Sequence, residues 1–374
     1  MGKINLCFFE PIGNTFGSER SMIELIKEIS TNEKFFNKIN TVCYTPKDSG
    51  INELLKDNKI KFYTWHKVDL HKRSKLRIFL HALKLLWFCF SRNIDVLHVN
   101  QTGGLAYGLF VKKFLPNISL VCYSRYYDDH KIYVKYGAKL NRIGSIICVS
   151  QKQKRDLIEV LPDYESNFRV LYNPFKLKLE NISRSEFQNK SNFVVLGRIA
   201  SEKNLMFIIK SWPKVVGSVA NAKLEFYGDV VSDYDVKYLE SLKSKILELK
   251  LNKLIFFKGY VKDPKDIISG SRAMILASSF EPMGRVIIES FMNNTIPLVS
   301  SYDTGALEII KAMNLDKLVF ERENSVSLTN KISMIEGLDY KSYMDIIDTG
   351  KKWIINNLDI EGKIADYFNI VSGS

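Results

Sequence analysis

The chain is poor in cysteine, and no hydrophobic run is long enough to cross a bilayer. Five cysteines occur in 374 residues, an odd count with no pair at C-x-x-C spacing. Paired-cysteine motifs are thereby excluded. Most sit in apolar runs such as Ile146-Ile147-Cys148-Val149, so Cys7, Cys43, Cys89, Cys122 and Cys148 read as small buried hydrophobes in a reducing compartment. Nothing approaches the roughly 18 consecutive apolar residues of a simple spanning helix. The opening, Met1 to Phe9, does not read as a signal peptide: its apolar run is short, Glu10 follows, and no small-residue cleavage site appears. Leu6 stands where myristoylation asks for Ser or Thr. A G-x-G-x-x-G fingerprint is also missing after the first apolar run, where the chain reads Pro11-Ile12-Gly13-Asn14-Thr15-Phe16-Gly17-Ser18-Glu19, which weakens a dinucleotide reading. Histidines number only five, and His71 and His81 read as surface residues rather than metal ligands.

Positive charge is abundant. The formal net charge is +13, which attracts anions: nucleic acid, anionic lipid or phosphorylated small molecules. With 46% hydrophobic and 25% charged residues the composition is that of a folded globular protein. Its length favours two domains.

Short apolar runs alternate with helical patterns. Ile4–Phe9, Lys38–Tyr44, Ile94–Val99, Ile118–Tyr123 and Ile146–Val149 read as buried strands, and Ser18–Ser30 as a helix with Met22, Leu25, Ile26 and Ile29 on one face. From Leu161 to Asn192 the rhythm breaks, and this stretch reads as a linker. It resumes with Phe193–Leu196, Lys223–Tyr227, Leu254–Phe257, Ala273–Ala277 and Ile296–Ser300. Apolar strands alternating with helices predict parallel sheets covered on both faces. The expectation is an α/β protein of two doubly wound domains, residues 1–172 and 191–355. A C-terminal helix at 360–374 would pack back on the first, and ligands would lie in a cleft beyond the C-terminal strand ends.

Chemistry concentrates in the second half. The strand ending at Gly197 is followed by Arg198 and Lys203, two cations suited to a diphosphate: Arg offers a planar fork and Lys a mobile point charge. Taken alone they could equally be solvated surface cations. Further on, Glu281, Pro282, Met283, Gly284, Arg285 and Glu289 follow another strand. Pro282 suits a helix's first turn, so the helix is expected to begin near it, with Glu281 at its mouth and free amides able to hold phosphate oxygens. Glu289 either is buried against ligand hydroxyls or makes an i,i+4 pair with Arg285.

Together these motifs resemble the retaining group-one, or family-four, glycosyltransferases, which have two Rossmann-like domains facing across a cleft (the GT-B type). The signature elements are Gly197-Arg198, Glu202-Lys203 and the Glu281–Glu289 pair eight positions apart. Val149-Ser150, Asn173-Pro174, Gly228-Asp229, Gly259-Tyr260-Val261, Gly305 and Glu308 match in order. The resemblance implies that Arg198 and Lys203 hold the donor diphosphate, Glu281 binds the donor sugar, Glu289 binds ribose, and Tyr260 and Val261 line the base pocket. Gly197, Met283, Gly284 and Arg285 complete the donor set. It implies no cofactor and no metal, the protein's own cations standing in for a divalent ion. Departures from the family pattern are one extra residue between Glu289 and Pro297, Asn293-Asn294-Thr295 in place of a glycine, Thr304 in place of another, and Arg285 in place of leucine.

On the first half the resemblance carries over Gly17, on the donor side, and Ser18, on the acceptor side, from the glycine-containing first loop that faces the donor phosphates and the acceptor. The plainer reading is a strand–helix turn with Ser18 as N-cap. Arg125 stands near the family's usual histidine, and Arg125 and Asp128 are acceptor-side candidates, against an ordinary surface loop. The stretch from His66 to Arg92 interleaves Lys67, Lys72, Arg73, Lys75, Arg77 and Lys84 with Leu76, Phe79, Leu80, Leu83, Leu86, Trp87, Phe88 and Phe90. This reads as a basic amphipathic helix suited to an anionic membrane interface, or as a helix packed on its sheet through Leu83 and Leu86. The expected partners are a nucleotide-diphosphate sugar and a glycan or lipid-linked acceptor, with an anionic membrane surface and no nucleic acid. The expected location is the cytoplasm or the inner face of the plasma membrane. Two other readings stand beside this one: a nucleotide-sugar hydrolase or epimerase of the same fold, and a non-catalytic nucleotide-sugar binder.

Overall fold

In the computed structural model, residues 3–13, 17–65, 75–126, 128–177, 179 and 181–372 are described. His66, Lys67, His71, Lys72 and Arg73 of the basic stretch, and Asn14, Thr15 and Phe16 of the first loop, lie outside them. The chain divides into two compact units, one running to Lys176 and resuming at Leu358, the other Leu177–Asn357.

The first unit holds β1 (Ile4–Phe9), β2 (Ile39–Pro46), β3 (Phe62–Trp65), β4 (Val96–Val99), β5 (Ser119–Ser124), β6 (Ser145–Cys148) and β7 (Phe168–Val170). All pair in parallel, in the order β3-β2-β1-β4-β5-β6-β7. The second holds β8 (Ser191–Leu196), β9 (Leu224–Tyr227), β10 (Ile255–Gly259), β11 (Ser271–Leu276), β12 (Ile296–Ser300) and β13 (Val319–Phe320), parallel in the order β10-β9-β8-β11-β12-β13. Each sheet therefore reverses its winding between its first and fourth strands, the switch point where doubly wound sheets bind ligands.

The sequence explains both sheets. Central strands are apolar throughout because helices cover both faces; every residue of β4, β6 and β11 is buried. Helix starts carry hydroxyl or carboxamide caps: Ser150 accepts from the Gln153 amide, Thr304 from Leu307, and Ser232 forms a capping box with Asp235. The C-terminal helix Ile360–Ser372 belongs to the first unit. Its Tyr367 hydroxyl lies 2.5 Å from His98 Nδ1 on β4, and the Tyr367 ring stacks on Phe8. Burial, and then the nearby Arg125 charge, pull the His98 pKa well below its usual value, so this imidazole is neutral.

Several expectations need correction. The stretch read as a linker contains a strand, β7, and the helix Arg184–Asn189, which is capped by Ser183 and Glu186. The helix after Glu281 begins at Arg285, not near Pro282, because Gly284 (φ 83°) takes the left-handed N-cap position. Ser18 is not an N-cap; it lies inside the helix Gly17–Thr31. The helix Lys75–Ser91 packs through Ala82, Leu85, Phe88 and Cys89, whereas Leu83 is exposed.

Candidate functional site

At the switch point of the second sheet the backbone is drawn tight. Gly197 N donates to Tyr227 O (2.9 Å), Gly228 N to Gly259 O (2.9 Å) and Ile199 N to Asp229 O (3.0 Å), joining the C-terminal ends of β8, β9 and β10. A Cβ on Gly228 would lie 1.8 Å from Gly197 O, so only glycine permits this approach. The loop after β11 is tied in the same way: Ser279 N donates to Glu202 O (2.9 Å) and Gly305 N to Glu281 O (2.9 Å). Segments 197–203, 279–284 and 304–305 are thus fixed to one another before any ligand is considered.

Onto this frame the side chains bring two ion pairs. Lys203 Nζ donates to Glu281 Oε2 at 2.6 Å, both groups being mostly shielded from solvent. Arg198 pairs with Glu202 and is half exposed. Residues 78 positions apart in sequence therefore share one contact. Gly284 lies against Ala306, where a Cβ would come within 3.0 Å of the Ala306 Cβ. Met283 is buried beneath the loop. Glu289 is partly exposed and lies 3.5 Å from Arg285, so the i,i+4 pair forms. Tyr260 presents a half-exposed ring beyond β10, with the partly buried Val261 next to it.

Three neighbours escaped the sequence reading. Glu323 Oε1 accepts from Asn204 Nδ2 and from the Tyr302 hydroxyl, each at 2.6 Å, linking the ends of β8, β12 and β13. The signal available in sequence was weak: polar residues in the segments that follow three strands. Among the described residues, no cluster of three or more His, Cys, Asp or Glu side chains could hold a metal ion.

The switch point of the first sheet is built differently. Gly17 opens its helix exposed, and the Ser18 hydroxyl lies 3.0 Å from the Tyr126 hydroxyl. Arg125 is buried rather than on a surface loop. Its Nη1 donates to Asn173 Oδ1 (3.2 Å) and Ser18 O (3.4 Å), and its guanidinium lies 3.7 Å over the Tyr123 ring. Asp128 is exposed and paired with Lys131 at 2.7 Å. Its neighbour Asp129 does the local hydrogen bonding, accepting from the Arg125 amide (2.5 Å), the Tyr126 amide (2.8 Å) and the Thr102 hydroxyl (2.5 Å). Glu10 and Glu19, not singled out from the sequence, are fully buried here.

Residues 178–353 match the family model for glycosyl transferases group 1. This segment, just under half of the chain, is similar to the group 1 glycosyltransferases. Among curated relatives, it is 24% identical over 198 residues to a poly(glycerol-phosphate) alpha-glucosyltransferase of Bacillus subtilis, covering 51% of this chain and 28% of that protein. It is 26% identical over 168 residues to an alpha-1,4-N-acetyl-D-galactosaminyltransferase of Campylobacter jejuni whose name specifies a PP-undecaprenol-linked glycan, covering 45% of this chain and 44% of that protein. The chain thus spans less than half the length of either relative. Among solved structures, Anabaena HepE in complex with UDP-glucose superposes with a TM-score of 0.82 at 17% identity, over 99% of this chain and 100% of that one. Staphylococcus aureus TarM in complex with UDP, fondaparinux and alpha-GlcNAc-glycerol superposes with a TM-score of 0.74 at 14% identity, over 99% and 100%. These structures share the fold of this chain.

Proposed function

We propose that this chain is a group 1 glycosyltransferase that transfers a sugar, with retention of anomeric configuration, from a nucleoside-diphosphate sugar to a hydroxyl of a glycan or lipid-linked glycan used for the cell surface. The observation that carries the reading is the Lys203–Glu281 contact beside Arg198, on a backbone tied at the switch point of the second sheet. Each cation is balanced by a carboxylate, Arg198 by Glu202 and Lys203 by Glu281. On donor binding Lys203 and Arg198 turn to the diphosphate oxygens, which frees Glu281 for the sugar hydroxyls. The acceptor oxygen then bonds to the anomeric carbon on the face from which the diphosphate departs. The bond from that carbon to the phosphate oxygen breaks, and the departing phosphate oxygen takes the acceptor proton. The protein's chief contribution is stabilisation of the leaving diphosphate by the two cations, work done elsewhere by a divalent ion. Ser18 and Arg125 of the first unit serve the acceptor, and Tyr260, Val261 and Glu289 serve the nucleoside. The alpha linkages in the relatives' names fit retention from an alpha-linked donor.

The test is turnover with a panel of nucleotide sugars and candidate acceptors. Lys203→Ala and Glu281→Ala should each lower kcat/KM by about 100- to 1000-fold with the fold intact. Full activity in either variant overturns the site. Donor breakdown at the same rate without acceptor would favour the hydrolase reading.

The same proposal places the chain on an anionic membrane surface. No helix among the described residues is long and apolar enough to cross a membrane. The helix Lys75–Ser91 nevertheless exposes Leu76 (66%), Phe79, Leu80, Trp87 (67%) and Phe90, and Phe114 is exposed on the helix Leu105–Phe114 packed against it. These two helices contain no Asp or Glu, and exposed Lys84, Arg92 and Lys113 rim the apolar stripe. Apolar insertion flanked by cations is the pattern that binds acidic lipid interfaces. Vesicle co-sedimentation tests it. Binding to phosphatidylglycerol vesicles but not to pure phosphatidylcholine is expected, and the Trp87→Ser/Phe90→Ser variant should lose it. Undiminished binding by that variant contradicts the assignment.

A further inference from the structure

The first sheet's switch point holds a buried carboxylate pair to which the transfer mechanism gives no role. Glu10 follows β1 and Glu19 lies on the helix Gly17–Thr31; both have zero exposure. Glu10 Oε1 accepts from the backbone amides of Ile12 (2.8 Å) and Gly13 (3.1 Å), and Oε2 from Asn100 Nδ2 (2.6 Å). Gln101 Nε2 reaches both carboxyls: it lies 3.2 Å and 3.4 Å from the two Glu10 oxygens and also donates to Glu19 Oε1. Glu19 Oε2 accepts from the Ser18 hydroxyl (2.8 Å), which in turn meets Tyr126. One chain of hydrogen bonds thus runs from the backbone at 12–13 to Ser18 and Tyr126.

Two carboxylates bridged by one amide out of water repel each other strongly unless a proton is shared. The titratable and charged groups facing the pair are Cys43 on β2, and Arg125 and Tyr126 after β5. Arg125 is the one cation of these, and it bonds Asn173 and Ser18 O rather than either carboxylate. Burial, and then the Glu19 charge, push Glu10 up to about 7. A receptor for the proton is at hand. Asn100 Oδ1 is buried without a partner among the described residues, and a half-turn of that amide would bring it to Glu10 Oε2 as the acceptor of a Glu10 O–H.

We propose that Glu10 and Glu19 form a positioning pair for the acceptor. By sharing one proton they hold the backbone at Ile12 and Gly13 and the Ser18 hydroxyl in place, and loss of that proton loosens both. This rests on the transferase reading and on Ser18 serving the acceptor. Both carboxylates are sealed from solvent and act through Ser18, so the effect is expected on acceptor binding and not on donor binding.

The test is acceptor and donor KM measured across neutral pH, with thermal unfolding over the same range. In the wild type acceptor KM should rise as pH climbs through about 7 while donor KM stays level. Glu10→Gln, which cannot ionise, should hold acceptor KM at its low-pH value. Glu19→Gln should move the midpoint to lower pH, because the like charge is gone. An unaltered transition in Glu10→Gln, or one in donor KM instead, overturns the inference. Unfolding separates the two readings. A chain with no transferase activity but with a pH-dependent stability abolished in Glu10→Gln refutes the transferase reading and the positioning role with it, while the shared proton stands.

Discussion

The two sheets have the same winding and opposite chemistry at the same place. After the first and fourth strands of the second sheet stand Arg198, Lys203 and Glu281, partly open to solvent, with each cation next to a carboxylate. After the first and fourth strands of the first sheet stand Glu10, Asn100 and Gln101, sealed from solvent and closed on Glu19. Open, exchangeable ion pairs suit a ligand that arrives charged, because phosphate oxygens can replace carboxylate oxygens at a cation. A sealed carboxylate pair suits a neutral hydroxylated ligand, because it orders the loop without presenting charge. On the proposed reading, one topology yields a diphosphate grip or a polyol-side scaffold, depending on which residues follow the strands.

Substitutions that sharpen the contrast can be ranked by effect. The activity losses expected for Lys203→Ala and Glu281→Ala are the largest, equivalent to about 3–4 kcal/mol of transition-state stabilisation. Next is Gly228→Ala, which forces a Cβ onto Gly197 O and should destabilise the second unit by about 3 kcal/mol in denaturant unfolding while the first unit's transition stays put. The buried pair comes third. An acid whose pKa rises on folding, here from 4.5 to about 7, lends stability that is full below the ordinary value and is lost as pH climbs through about 7. That loss is at most about 3 kcal/mol, and Glu10→Gln should remove it from the stability–pH curve. The smallest effect belongs to Glu202→Gln: the Arg198–Glu202 pair is part-exposed, so stability should change by less than about 1 kcal/mol. A large loss there would mean that the second unit's ion pairs are structural, and the contrast between the sheets would fail.

Much of this architecture is legible in the chain because central strands of a parallel sheet are uninterrupted apolar runs. Ile4–Phe9 and Ile296–Ser300 are bounded in the sequence as they are in the structure. The short strands Phe62–Trp65, Phe168–Val170 and Val319–Phe320 were not, since each has four residues or fewer and lies at a sheet edge. The motifs that carry Arg198, Lys203 and Glu281 are legible because the spacing within each is local. Glu10, Glu19 and Gln101 are not, because only the crossover from β1 to β4 brings Gln101 into contact with residues 91 and 82 positions earlier. The Asn293-Asn294-Thr295 departure falls on a structural network: Thr295 Oγ1 accepts from Lys190 Nζ (3.1 Å), and Asn294 Oδ1 from Lys351 Nζ (2.6 Å). That network is at the N-terminal end of β12, opposite the strand ends that Arg198, Lys203 and Glu281 follow.

The most direct test of the central claim is calorimetric titration of UDP, GDP and ADP into the wild-type chain and into Lys203→Ala. One nucleoside diphosphate should bind the wild type and should bind Lys203→Ala at least about tenfold more weakly, the value of a charge-assisted hydrogen bond. Equal affinity in the two proteins, or no binding by the wild type, would contradict the assignment of Arg198, Lys203 and Glu281 to a nucleotide-sugar site.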